Sequence, residues 1–168
     1  MEKAKETVPG AGTADKYKPA EVTMHAVTKD SVGDSIGSIR IRYTDYGVVF
    51  DPDLTGLTPG LHGFHMHENA ACGPTEKDGE AIAAGAAGGH YNPGGGGHNG
   101  PYAKGHKGDL PALTADEQGN VTLPVLAPRL TAEDIRGHSL IIHRHGDNYS
   151  DKPEPLGGGG PRVACGVM

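Results

Sequence analysis

The sequence predicts an all-β fold, a sandwich or barrel of short strands, and three observations carry that prediction. Apolar and polar residues alternate in several short stretches, as half-buried strands require. Helix signals are confined to one short segment. The 28 glycines and 13 prolines gather between the alternating stretches, where they read as turns and long loops rather than as global disorder. The 168 residues suit a single domain, with residues 1–19 expected as a mobile N-terminal tail and 20–168 as the domain.

The elements follow in order. The tail is charged, is interrupted by Pro9, Gly10 and Gly12, and lacks the apolar stretch of a leader peptide. If the protein is exported, this chain is expected to be its processed form, with Met1 an added start. No stretch approaches the roughly 20 apolar residues of a membrane span. A first strand is expected at 22–27, where Val22, Met24 and Ala26 alternate with Thr23, His25 and Val27. The second, 39–44, sets Ile39, Ile41 and Tyr43 against Arg40, Arg42 and Thr44 and has a basic outer face. A turn at Tyr46-Gly47 leads into a third, 48–50, which Pro52 and Asp53 are expected to end. Further strands are expected at 61–67, 121–125, 139–143 and 162–167. One or two helical turns are expected at 131–137, with Thr131 as N-cap and Gly137 beyond the end. The segments 69–113 and 146–161 read as long loops, which are uncommon in a compact domain unless they are functional. A disulfide and metals would hold them.

The net charge of −6 shows no basic footprint, so a nucleic-acid partner is not expected. A small anionic substrate stays open, because it needs only local positive charge. Cys72 and Cys165 are the two cysteines. In a cytosolic protein two distant cysteines are most often free thiols, and in an exported one an even count suggests a bridge. Closing so long a loop would stabilise the fold by roughly 4–5 kcal/mol in the chain-entropy picture.

Histidine is the most conspicuous residue, at 10 of 168. His65 and His67 are two apart on an expected strand, so both imidazoles project to one face while Phe64 and Met66 turn to the core. Imidazole suits copper and zinc. Within the Gly-rich loop, His90, His98, His106 and Asp109 offer three imidazoles and one carboxylate, a plausible tetrahedral zinc set whose metal would order the loop. His143 ends an apolar run and shares a face with Ile141, which by itself reads as structural.

The runs His62-Gly63-Phe64-His65-Met66-His67-Glu68, Gly88-Gly89-His90-Tyr91-Asn92-Pro93 and Gly105-His106-Lys107-Gly108-Asp109-Leu110, with the ending Gly157 to Val167, resemble the copper/zinc superoxide dismutase family. The segment Gly146 to Pro153 resembles its bacterial periplasmic branch, and the resemblance covers about residues 20–168. It implies a Greek-key antiparallel β-sandwich or barrel with long metal-binding and electrostatic loops. It implies an antioxidant oxidoreductase that converts superoxide to dioxygen and hydrogen peroxide outside the cytoplasm, in the periplasm, as a monomer or homodimer. By resemblance, His65, His67, His90 and His143 bind copper. His90, His98, His106 and Asp109 bind zinc, so that His90 bridges. Asp147 ties a copper-side imidazole to a zinc-side one, Cys72 and Cys165 form a disulfide, and Arg162 holds the substrate anion. Arg162 and His90 are the expected catalytic residues, with Lys77 and Lys152 as candidates for steering. His62 is expected to brace the copper strand, His25 and His138 to be structural, and His145 to be exposed. A metal buffer without catalysis would explain the histidines equally well but leaves Arg162 and the shared His90 unexplained; an adhesive sandwich leaves the histidine spacing to coincidence.

Overall fold

The computed structural model describes residues 18–168; the expected tail therefore lies outside the described residues except for Lys18 and Pro19. Alternation produces the first strand, β1 (Ala20–Val27), where Val22 and Met24 are buried and Glu21 and Thr23 are exposed. β2 (Val32–Thr44) follows, then β3 (Gly47–Leu54), β4 (Gly60–His62) and β5 (Phe64–His67). A short hairpin, β6 (Thr75–Lys77) and β7 (Glu80–Ile82), lies inside the first long loop. The chain ends with β8 (Leu113–Ala115), β9 (Val125–Ala127), β10 (Ser139–His143) and β11 (Arg162–Val167). Seven strands form one antiparallel sheet, in the order β5-β10-β11-β1-β2-β3-β9, curled into a half-barrel; β4 and β8 form a separate pair.

The core fills the inside of this curl. Ile39 and Ile41 from β2, Phe50 and Leu54 from β3, Phe64 and Met66 from β5 and Leu140 and Ile142 from β10 are all fully buried. Phe50 and Phe64 meet edge to face with centroids 5.4 Å apart. A smaller apolar cluster, Val27, Ala84, Ala87, Ile141 and Cys165, lies beneath the first long loop. There the Cys72–Cys165 disulfide ties that loop to β11 across 93 residues of sequence.

The structure corrects several expected boundaries. β2 starts seven residues early, because its polar half, 32–38, is held by pairing with β1 rather than by burial. β3 does not stop at Pro52. Leu54 exchanges backbone hydrogen bonds with Val121, so the alternation turns the ring nitrogen of Pro52 to the same side, beyond the last β9 pairing at Phe50 and Val125. A missing N–H is tolerated at such an unpaired position. The expected strand 61–67 divides at Gly63, whose N–H and C=O bond to His145 and His143, so that β4 pairs with β8 and β5 with β10. The expected strand 121–125 is interrupted by Pro124, leaving an isolated bridge at Val121 and displacing β9 to 125–127. The segment 131–137 makes a single 3-10 turn, Ala132–Asp134, closed by a capping box between Thr131 and Asp134. Both long loops carry local structure: the β6–β7 hairpin and a 3-10 turn at Gly85–Ala87 in the first, and a 3-10 turn at Pro155–Gly158 in the second.

Candidate metal centre

β5 is an edge strand of the main sheet, and its free edge is where the first loop docks. Tyr91 N–H donates to the Met66 carbonyl, Met66 N–H to Gly108 and Leu110 N–H to Phe64. Bridges pair His67 with His90 and His65 with Asp109. Both ends of the Gly-rich stretch are thus stitched beside the two strand histidines. On the other edge of β5, His65 faces Ile141 and His67 faces Ser139 of β10, which brings His143 alongside. Arg162, at the start of β11, is the register partner of His143.

Four imidazoles converge. His65, His67, His90 and His143 are buried, and one ligand atom from each lies within 4.8 Å of the other three. Each ring has one nitrogen engaged. His65 Nε2 donates to Asp147 Oδ2 at 2.7 Å, His67 Nδ1 to the Gly88 carbonyl at 2.8 Å and His143 Nδ1 to the Gly160 carbonyl at 2.9 Å. His90 Nδ1 lies 3.1 Å from Asp109 Oδ1. The other nitrogens, His65 Nδ1 and Nε2 of His67, His90 and His143, are buried without a hydrogen-bond partner. Four orphaned imidazole nitrogens in one place are costly unless something binds them, and an ion with an affinity for nitrogen would do so.

A second set adjoins the first through His90. Asp109 Oδ1 lies 2.9 Å from His98 Nδ1, 3.1 Å from His90 Nδ1 and 3.3 Å from His106 Nδ1, and the His90 and His106 Nδ1 atoms are 3.2 Å apart. Bonds of about 2.0 Å to a tetrahedral zinc ion imply ligand separations of about 3.3 Å, so this set has a zinc-sized spacing. His65 also comes within 4.8 Å of His90, His98 and Asp109, but its Nε2 is taken by Asp147.

Asp147 spans both sets, accepting from His65 Nε2 and, at 2.7 Å, from His98 Nε2. Tyr149 N–H holds the Asp147 carboxylate from behind. Gly157 has a φ of +76°, and a Cβ there would run into Asp147 Oδ1, so only glycine lets the second loop close on this pair. Asp151, which sequence reasoning did not single out, accepts from the backbone N–H groups of His98 and Leu156 and fixes the stretch that carries His98.

The two sets differ in charge. Burial, and then the positive charge of Arg162 and the charge His90 would carry if protonated, hold His67 well below the ordinary histidine range. Burial pulls His90 down to about 4 and His143 down to about 3. These rings are kept neutral, the state in which imidazole binds metals. Burial also disfavours a charged His98, but its hydrogen bonds to Asp109 and Asp147 outweigh that and raise it to about 9. Burial would raise Asp109 and Asp147, yet their histidine partners hold both far below the usual carboxylate range. The second set is a site for positive charge.

Arg162 donates from Nη1 to the Ala84 carbonyl at 2.8 Å and from Nη2 to the Gly88 carbonyl at 2.7 Å. A guanidinium has five N–H donors, so others remain for an anion. Of the remaining histidines, His62 is buried, bonded to the carbonyls of His143 and Thr58, while His25 bonds to the Gly33 carbonyl, His138 to that of Glu68, and His145 is exposed. The carbonyl partners, Gly88, Gly160 and Ala84, were invisible in the sequence, because a backbone oxygen carries no residue signature. No helix among the described residues is long and apolar enough to cross a membrane.

Residues 35–168 match the family model for copper/zinc superoxide dismutase. The chain is 52% identical over 144 residues to a copper/zinc superoxide dismutase of Photobacterium leiognathi, covering 84% of this chain and 83% of that protein. Its structure superposes on the copper/zinc superoxide dismutase of Brucella abortus with a TM-score of 0.88 at 48% identity, covering 90% of this chain and 99% of that one. For the monomeric copper, zinc superoxide dismutase of Salmonella enterica the TM-score is 0.81 at 51% identity, with 89% and 99% covered.

Proposed function

The chain belongs to the copper/zinc superoxide dismutase family, oxidoreductases acting on superoxide, and from that premise we propose which of its residues do the work. His65, His67, His90 and His143 would hold copper, His90, His98, His106 and Asp109 would hold zinc, and His90 would be shared by the two sets as a bridging imidazolate. The observation that carries this reading is the set of four buried, unpartnered nitrogens, of which His90 Nε2 is one while His90 Nδ1 lies in the other set. Copper bound there would supply a one-electron Cu(II)/Cu(I) couple for converting two superoxide anions and two protons to dioxygen and hydrogen peroxide, and redox-silent zinc would add charge and order.

The chain's residues supply the rest. Arg162 binds the anion with the guanidinium donors that Ala84 and Gly88 leave free. When it is not held by the metal, His90 Nε2 would carry one of the two protons that hydrogen peroxide needs, the other coming from solvent, while Nδ1 keeps its place in the zinc set. Asp147 fixes the orientation of His65 and His98, and His62 fixes the backbone of His143. The domain is residues 20–168, acting outside the cytoplasm in the periplasm. The Cys72–Cys165 disulfide and the bacterial relatives support that location, since such bonds persist in oxidising compartments.

The test is superoxide turnover by the protein loaded with copper and zinc, beside His143→Ala and Arg162→Ala. Fast wild type, a nearly inactive His143→Ala and a slowed Arg162→Ala that keeps its copper are expected. Wild type that binds both metals but turns over no faster than a generic copper–protein control would replace the enzyme with a metal buffer.

A further inference from the structure

The segment 129–135 contains the clearest helix-start signal of the sequence, and none of it belongs to either metal set. It is fixed to the barrel from within, as Leu130 and Ile135 are buried in the main core. Its turn is closed by Asp134, whose Oδ2 accepts from Thr131 N–H at 2.8 Å and from Thr131 Oγ1 at 3.0 Å. The other carboxylate oxygen accepts from Lys107 Nζ at 2.8 Å. Arg129 reaches the same part of the loop with its guanidinium fork, donating from Nη2 to the Gly105 carbonyl at 3.1 Å and from Nη1 to the His106 carbonyl at 3.3 Å.

These contacts flank one residue. Gly105 and Lys107 are the chain neighbours of His106, and Arg129 holds the His106 carbonyl itself. His106 is the zinc-set histidine with the least protection, its side chain 12% exposed, whereas those of His98 and Asp109 are fully buried. It also lies at the end of the glycine-rich stretch, where the backbone has most freedom to lose on ordering. A ligand in that position needs its backbone fixed from outside the loop, and the structure provides two independent tethers from one rigid base.

We infer that residues 129–135 are a brace for the zinc-side loop, with Arg129 and the Lys107–Asp134 pair as positioning residues for His106. This rests on the reading of His106 as a zinc ligand. The brace acts on zinc retention more than on the strand-borne copper set, because the hydrogen bonds of Arg129 and Asp134 go to Gly105, His106, Lys107 and Thr131 and not to β5 or β10.

The experiment measures zinc and copper dissociation constants of the full chain by competition with a chromophoric chelator, together with the unfolding midpoint of the metal-free protein. Arg129→Ala and Lys107→Met should each weaken zinc binding about tenfold while copper binding stays within about twofold, as expected when a support of a metal ligand is removed. The metal-free midpoint should change little, and Lys107→Arg should restore zinc affinity. Unchanged zinc affinity in both folded variants overturns the inference. So does a parallel loss of both metals with a lowered midpoint, which is what general destabilisation produces. His106→Ala separates the two readings. If it loses zinc while the brace variants do not, only the brace is wrong; if it too keeps full zinc affinity, the ligand assignment fails and the brace falls with it. Should Arg129→Ala not fold, Lys107→Met, at a half-exposed side chain, decides the matter.

Discussion

The two halves of the metal centre are built by different means. His65, His67 and His143 sit on β5 and β10, paired strands whose opposite faces form the barrel core. Their positions follow from the sheet, and their second nitrogens are fixed largely by backbone carbonyls. His98 and His106 sit on a loop, reached through carboxylates and tethers contributed by distant segments: Asp147 and Asp151 from the second loop and Arg129 and Asp134 from the 129–135 turn. One half is pre-formed by secondary structure and kept neutral; the other is assembled from long-range polar contacts and favours positive charge. The difference teaches that a site can draw rigidity from a barrel on one side only, and that the other side must be held residue by residue.

Acid should break the comparison most sharply. In the metal-free protein, burial keeps His90 neutral down to about 4 and His143 down to about 3, below the ordinary value of 6.5. The unfolded chain then takes up protons that the fold refuses, so their contribution to stability is complete above about pH 6.5 and is lost as pH falls toward those values. His90 alone accounts for a loss on the order of 3 kcal/mol. His98 runs the other way: raised to about 9, it stabilises fully below pH 6.5, and that part is lost as pH rises through 9. Unfolding midpoints of the metal-free protein should therefore peak near pH 6.5. A midpoint that keeps climbing to pH 10 would show that His98 is not the cation the two carboxylates require.

Removing the residue that joins the halves comes next. Asp147→Ala leaves His98 Nε2 and His65 Nε2 without acceptors, and should weaken zinc binding about a hundredfold and copper binding about tenfold. Equal losses for both metals, read by chelator competition, would contradict the idea that the loop half depends on distant carboxylates more than the strand half does. Gly157→Ala pushes on the same carboxylate without removing it, and a tenfold weaker zinc affinity is expected, on the order seen when a supporting partner is disturbed. Copper should hardly respond.

The smallest effect concerns steering. Lys77 and Lys152 are exposed on the two long loops. Superoxide dismutases are themselves the reference case for electrostatic steering of a small anion. Replacing either lysine with alanine should slow turnover no more than about twofold, and the difference should fade with added salt, because exposed charges are screened over about 10 Å. A defect that persists at high salt would assign that lysine a contact role instead.

The strand half of the site was legible because periodicity encodes it. His65 and His67 lie two apart with Phe64 and Met66 between and beside them, and that pattern alone puts both imidazoles on the face opposite the core. His90, His98, His106 and Asp109 could be grouped by residue type, but not placed, since their positions depend on which free edge the loop docks to. The strand break at Gly63 went unread because it reflects a change of partner, and partners are not written locally, whereas Pro124 carries a local signal, its missing N–H, that the alternation around it masked. The basic face expected for β2 is only partly free: Arg42 pairs with Asp51 of β3 at 3.7 Å. The supporting contacts made by Arg129, Asp151 and the Gly88 carbonyl had no signal at all beyond the N-cap expected at Thr131, which pointed to a helix start rather than to a tether.

One carbonyl has a consequence beyond holding a ring in place. The oxygen of Gly88 accepts from His67 Nδ1 and from Arg162 Nη2. A shift of that peptide therefore carries the imidazole and the guanidinium in the same direction by a similar amount. The two groups share one anchor, so their separation is set through a single peptide. The separation of the guanidinium from the ion that His67 would hold decides whether a two-atom anion can reach both at once, and a single oxygen atom acts as its ruler.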